Sequence, residues 1–143
     1  EKLSEWLMPN ISRVIFHAEA AIDADEIIER THKAHIESGI AICPGTSPDV
    51  LLPFIGKVDL FQTLAVIPGP SGQEFDPSTI DKIKRLHAMA PGIPIEVDGG
   101  VRVGVAKECA HAGASFFVAG HALFNDTGSF EENMKKLSHD ITA

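Results

Sequence analysis

The residues best equipped for chemistry in this chain are Asp98, Gly99 and Gly100. They close the run Ile93-Pro94-Ile95-Glu96-Val97, whose apolar, β-branched residues suit a strand buried on both faces. Such a strand ends by presenting one carboxylate to a site. The two glycines can take positive φ and bring backbone N–H groups close to a ligand, and a helix starting just beyond would aim its positive end at the same point. The arrangement fits an acid/base group beside an anion, with phosphate as the natural occupant. Taken alone, the tripeptide fits equally well an ordinary turn after a strand. Two further clusters have the same character, Gly69-Pro70-Ser71-Gly72 and Gly120-His121. His17 and Glu19, spaced by two, would share one face of a strand and form a polar layer under the site, or fill the interior as a hydrogen-bonded pair.

These residues need elements to position them, and the chain alternates between short apolar runs and amphipathic segments. Strands are expected over residues 13–20, 40–43, 93–98 and 115–119 and within residues 60–67. Asp23 with Glu26 reads as a capping box for a helix facing inward with Ile27, Ile28, Thr31 and Ala34 and ended by Gly39. Pro48 starts a second helix with Val50, Leu51, Phe54 and Ile55 on its apolar side. Asp76-Pro77 starts a third, with Ile80, Ile83, Leu86 and Met89 inward. Val105, Cys109 and Ala112 mark a fourth, closed by Gly113, and Phe130, Met134, Leu137 and Ile141 mark the last.

Strict alternation predicts an α/β fold of parallel strands with right-handed crossovers, in one domain over residues 1–143. Two architectures fit, an open doubly wound sheet or part of a barrel of eight such units. The smallest barrels take ~200 residues, and five eighths of that is close to the 143 residues present. Each glycine-rich cluster also follows a strand, where both architectures bind ligands. No dinucleotide fingerprint follows the first strand and no Walker lysine motif occurs.

Twelve Lys and Arg against 20 Asp and Glu give a formal charge of −8, which disfavours a nucleic-acid or anionic-membrane surface. An anion would have to be held locally by backbone donors. Cys43 and Cys109 lie far apart without metal spacing and read as buried reduced thiols, with the cytoplasm as the expected compartment. His32, His35, His87, His111 and His139 read as solvated helix residues, and Trp6 and Met8 as packing against outer helices. The opening residues 1–7 read as the middle or end of a helix, as in a piece of something longer.

With the motifs placed, their order resembles the C-terminal five eighths of the ribulose-phosphate 3-epimerase family, a TIM barrel. The resemblance rests on Phe16-His17-Ala18-Glu19-Ala20, Pro44-Gly45-Thr46, Pro68-Gly69 with Gly72-Gln73, Val97-Asp98-Gly99-Gly100-Val101, and Ala119-Gly120 with Phe124. It implies metal-assisted epimerisation at C3 of ribulose 5-phosphate and xylulose 5-phosphate through an enediolate. Asp98 would be both an acid/base carboxylate and a ligand of a divalent ion, Zn, Fe, Mn or Co. The phosphate would sit on Gly69, Pro70, Ser71, Gly72, Gly99, Gly100, Gly120 and His121. The family's other metal ligands lie on strands that this chain lacks, so by resemblance the chain alone would be inactive. It would pair with a copy of itself or with the missing half-barrel.

The chain departs from the family at Leu64, Ile67, Pro70, Ser71 and His121, and Pro70 has no N–H to give. Two alternatives stay open, another phosphosugar enzyme of lyase or aldolase type on the same barrel, and a non-catalytic phosphate-binding half-barrel. None of Lys57, Lys82, Lys84 or Lys107 falls at the C-terminal end of an expected strand, which disfavours Schiff-base chemistry.

Overall fold

A computed structural model describes residues 2–70, 72–124 and 127–143. Five strands form a parallel sheet in sequence order: β1 (Arg13–His17), β2 (Glu37–Ile42), β3 (Leu60–Leu64), β4 (Ile95–Asp98) and β5 (Phe116–Val118). The helices are α1 (Ala24–Lys33), α2 (Ser78–Met89), α3 (Val105–Ala112), the short α4 (His121–Phe124) and α5 (Phe130–Thr142). This is part of a TIM-barrel-like α/β fold. Among the described residues no helix is long and apolar enough to cross a membrane.

The sheet has two chemically distinct faces. Ile40, Ile42, Phe61, Ile95 and Val97 pack with Ile83 and Leu86 of α2 and with Ala106 and Cys109 of α3 into one apolar core. Burying each large side chain of this kind is worth ~1.5–3 kcal/mol, which makes this face the main source of stability. On the other face the register places His17, Ala41, Gln62, Glu96 and Phe116 in one row across the strands. The row above it holds Leu64, Asp98 and Val118.

That second face is strongly concave. The Arg13 guanidinium of β1 lies 5.1 Å from the ring centre of Phe116 on β5. The two strands are four spacings apart in the sheet, about 19 Å if the sheet were flat, further than the two side chains span. The sheet is therefore rolled into a trough, with Arg13 reaching across its floor. Arg13 Nε also donates to Glu37 Oε2 at 2.8 Å, which holds the guanidinium in place.

Several local expectations differ from the structure. β1 stops at His17 because residues Ala18–Ala20 turn in a 3-10 helix, so Glu19 is not a strand residue. α1 ends at Lys33, and His35 rather than Gly39 takes the left-handed conformation, with φ 60°. Pairing to β1 begins at Glu37, whose N–H bonds Ser12 O at 2.9 Å, so Gly39 sits inside β2. Residues Pro48–Phe54 form a 3-10 helix, in which Pro53 lacks the amide an α-helix would use; Leu51 is buried but Val50 and Ile55 are exposed. Asp23 Oδ1 caps α1 by accepting from Glu26 N–H at 2.9 Å, while the Glu26 carboxylate turns to Arg30, so the box is half formed. On α5, Leu137 is buried whereas Phe130 and Met134 are exposed. Trp6 and Met8 are 60% and 52% exposed rather than packed on helices. His32 is paired with Asp59 at 2.8 Å.

Gly39 tests the packing between neighbouring strands. A Cβ there would lie 2.9 Å from Ile15 Cγ1 and 3.3 Å from Leu60 Cδ2. Gly39→Ala is expected to lower stability by ~1–3 kcal/mol, measured by urea denaturation, whereas the same change at Gly92, which has open space around it, should leave the midpoint nearly unchanged.

Candidate active site at the strand rim

A cavity of about 530 Å³ opens at the C-terminal ends of β3, β4 and β5. Parallel strands all end on the same side, so the loops that follow them converge here. The cavity is lined by Asp98, Gly99, Gly100, Gly69, Pro70, Gly72, Gly120 and His121. The three glycine clusters, which run from Gly69 to His121 along the chain, thus share one space with the carboxylate. Ser71 lies outside the described residues.

The glycines after Asp98 are required by geometry. Gly99 has φ 107° and Gly100 φ 65°; a Cβ on them would meet Val66 Cγ2 at 2.5 Å and the Phe75 amide nitrogen at 2.6 Å. The chain turns tightly against the loop that follows β3. That loop is anchored by Gln73, whose Nε2 donates to Ile67 O at 2.8 Å and Pro70 O at 2.9 Å. Arg102 also lines the cavity, with Nη1 donating to Gly100 O at 3.3 Å. Sequence reasoning missed Arg102, although its place two residues beyond Gly100 was the available signal.

Asp98 is half-buried at the end of β4. Burial pushes its carboxyl above the usual range, with the nearby His17 pulling in the opposite direction. Beneath it, Gln62 Nε2 donates to Glu96 Oε1 at 2.6 Å, a buried polar layer under the site.

His17 and Glu19 do not line this cavity; they stand beside it at the end of β1. His17 Nδ1 lies 3.6 Å from Glu19 Oε2 and 3.7 Å from Cys43 Sγ. Glu19 Oε1 accepts from Cys43 N–H at 2.8 Å and from the Thr46 hydroxyl at 2.5 Å. Burial raises the Glu19 carboxyl, but these donors outweigh it and hold it below the usual range. Cys43 is only partly buried, unlike Cys109, and burial together with Glu19 keeps its thiol protonated. The expectation of an interior pair is corrected to an open cluster, because the turn after β1 carries Glu19 out to the rim. Lys82 reaches this region from α2 but spends its ammonium on the carbonyls of Cys43 and Pro44. Burial lowers its pKa against the pull of Asp76 and Glu19. It fastens the turn after β2 and is not presented to the cavity.

As a metal centre, Asp98 is incomplete among the described residues. The donors that stand close enough together to hold an ion are His17, Glu19 and Cys43, and Asp98 is not in that group.

Residues 3–124 match the model of the ribulose-phosphate 3 epimerase family. The ribulose-phosphate 3-epimerase of Schizosaccharomyces pombe is 39% identical over 126 residues, covering 88% of this chain and 55% of the relative. That of Escherichia coli is 32% identical over 139 residues, covering 90% and 62%. The chain thus spans somewhat more than half the length of the curated relatives it matches. Among solved structures, orotidine 5'-monophosphate decarboxylase from Sulfolobus solfataricus superposes with a TM-score of 0.68 at 12% identity, over 92% of this chain and 61% of that one. At that identity the likeness is one of fold.

Because the Asp98 carboxyl is raised in the folded state, ionising it costs stability. The cost is absent below the unfolded value, develops as pH rises through the window up to the folded value, and is complete above it. Asp98→Asn, which stays neutral, is therefore expected to raise stability near neutral pH. The gain should vanish on acidification below about pH 4, as read from urea midpoints of both proteins across that range. Equal stabilities at neutral pH would refute the assignment.

Proposed function

This chain belongs to the ribulose-phosphate 3-epimerase family, and we propose that it supplies one side of the active site of a sugar-phosphate 3-epimerase acting on ribulose 5-phosphate and xylulose 5-phosphate. The observation that carries this reading is the single cavity shared by Asp98 and the three glycine clusters. Its size suits a small phosphorylated sugar, since ligand sites typically measure ~300–1,000 Å³.

Epimerisation at the carbon beside a ketose carbonyl needs a proton removed on one face and another delivered on the opposite face. Asp98 is placed to serve one face. Its raised pKa suits the task, because a carboxylate nearer the working pH both accepts and returns a proton efficiently. The opposite face needs a second carboxylate, which this reading assigns to strands outside the five described. Backbone amides around Gly69, Gly72, Gly99, Gly100 and Gly120 would take the phosphate, with Arg102 and His121 beside them. Phosphate held there fixes the far end of the sugar so that C3 falls near Asp98.

A divalent ion in such an enzyme stabilises the negative charge that develops on the enediolate oxygens. Asp98 would be one ligand, and the residues described here do not complete the set. The proton chemistry above is accordingly derived from Asp98 alone. Two apolar residues on the inner face of β5, Phe116 and Val118, are 41% and 42% exposed, which supports pairing of this sheet with further strands or a second copy. Lys82 is held by two carbonyls, which disfavours the Schiff-base alternative.

Two outcomes follow. Titration of phosphate into the chain should shift the amide resonances of Gly72, Gly99, Gly100 and Gly120, and Gly100→Ala should remove the effect; shifts confined to surface lysines would count against the site. In a whole epimerase containing these residues, Asp98→Asn should slow exchange of the C3 proton with solvent by ~10²–10⁴ while phosphate affinity stays within about twofold of wild type. Wild-type exchange in that variant would refute the assignment of Asp98.

A further inference from the structure

We propose that His17, Glu19 and Cys43 form a site for one zinc-type divalent cation at the rim of β1 and β2, distinct from the cavity that holds Asp98. The three donors are of different chemistry and arrive from different places. His17 is the last residue of β1, Glu19 lies in the 3-10 turn after it, and Cys43 directly follows β2. All three donor atoms lie within 4.8 Å of one another.

The spacing already approximates a filled site. Zinc bonds to nitrogen, oxygen and sulfur of ~2.0–2.3 Å, arranged tetrahedrally, put neighbouring donor atoms roughly 3.3–3.8 Å apart. His17 Nδ1 stands 3.6 Å from Glu19 Oε2 and 3.7 Å from Cys43 Sγ. An ion could enter without rebuilding the backbone, and the partial exposure of the residues leaves a path for it.

The outer contacts orient the carboxylate as a ligand. Glu19 Oε1 is occupied by Cys43 N–H and the Thr46 hydroxyl, which leaves Oε2 turned toward His17. The turn that supplies both donors is itself tied, by Thr46 N–H to Cys43 O at 3.0 Å and by Lys82 Nζ to the same oxygen at 2.9 Å. Secondary contacts of this sort fix ligand direction in metal sites.

The donor set selects the cation. One imidazole, one carboxylate and one thiolate suit zinc and its neighbours, while magnesium and calcium require oxygen donors throughout. Binding exchanges the Cys43 thiol proton, released to solvent, for a sulfur–metal bond. Three protein ligands leave the fourth position to water or an anion.

Titration of the reduced 143-residue chain with cobalt(II) tests this site. The expected result is one ion per chain, with a thiolate-to-cobalt charge-transfer band and the visible bands of tetrahedral cobalt, both reversed by zinc. Cys43→Ser should abolish the charge-transfer band, and His17→Ala should weaken zinc binding at least about tenfold. Thr46→Val, which touches no metal, should weaken it by ~10–100-fold and keep the band, as a purely structural role would not. Cys109→Ser, which removes the other thiol and touches neither site, should leave cobalt binding intact. No charge-transfer band in the folded wild-type chain would overturn the proposal without recourse to any variant. A band that survives Cys43→Ser and is lost in Cys109→Ser would overturn it too.

Discussion

The meeting of groups from distant strands depends on the rolled, concave inner face of the sheet, which brings Arg13 of β1 over Phe116 of β5. The Arg13 guanidinium lies over the Phe116 ring, at 5.1 Å from the centre, and is held on its other side by Glu37. A cation over an aromatic face contributes ~0.5–2 kcal/mol depending on how far water is excluded. Strands at opposite edges of the sheet are drawn over one trough, so that groups on β1 and β4 come within electrostatic reach. His17 acts on the ionisation of Asp98 although 81 residues of chain separate them. A flat sheet with the same register would set these two groups on separate stretches of surface.

The two faces divide stability from chemistry. The outer face is predominantly hydrocarbon, Ile40, Ile42, Phe61, Ile95 and Val97 under α2 and α3, with the small hydroxyls of Ser38 and Thr63 buried among them. The inner face carries charge and hydrogen-bonding groups in layers: Arg13 with Glu37 at the floor, Gln62 with Glu96 above, and Asp98 at the mouth. A buried carboxylate left unpaired would cost several kcal/mol, and the 2.6 Å bond from Gln62 is what makes Glu96 tolerable there. Period-two alternation along β4 sends Ile95 and Val97 one way and Glu96 and Asp98 the other, so one tetrapeptide supplies both functions.

How much of this is legible in the sequence follows from the range of the interactions involved. The strand and helix alternation was legible because it is written in local periodicity. Asp98 with Gly99 and Gly100 was legible because a strand end and a tight turn are both local events. Gly39 was misread as a helix stop, since its small size answers to Ile15 on the neighbouring strand, 24 residues away. The His17, Glu19 and Cys43 cluster escaped a reading based on ligand spacing because it forms across two βα units. The spacing of two between His17 and Glu19 suggested one strand face, and the 3-10 turn at residues Ala18–Ala20 cancels that logic.

The exposed inner face bears directly on the base. Asp98 is raised by burial, with the nearby His17 pulling the other way. The sheet is rolled but open beyond β5, where Phe116 and Val118 remain exposed. Any strand that covers those residues removes water from the trough and increases the desolvation that already dominates at Asp98. In the proposed reading, closure of the barrel and tuning of the acid/base group would be one physical event, since the apolar area that would drive the first would also supply the low-dielectric wall for the second. The glycine clusters answer to different physics. Backbone amides carry no ionisable charge, so the anion binding proposed at Gly100 and Gly120 would depend on the geometry of the loops that line this cavity. In the proposed reading the anion contacts come from loops on this side of the fold, whereas further burial of the trough would raise Asp98 beyond what its present burial does.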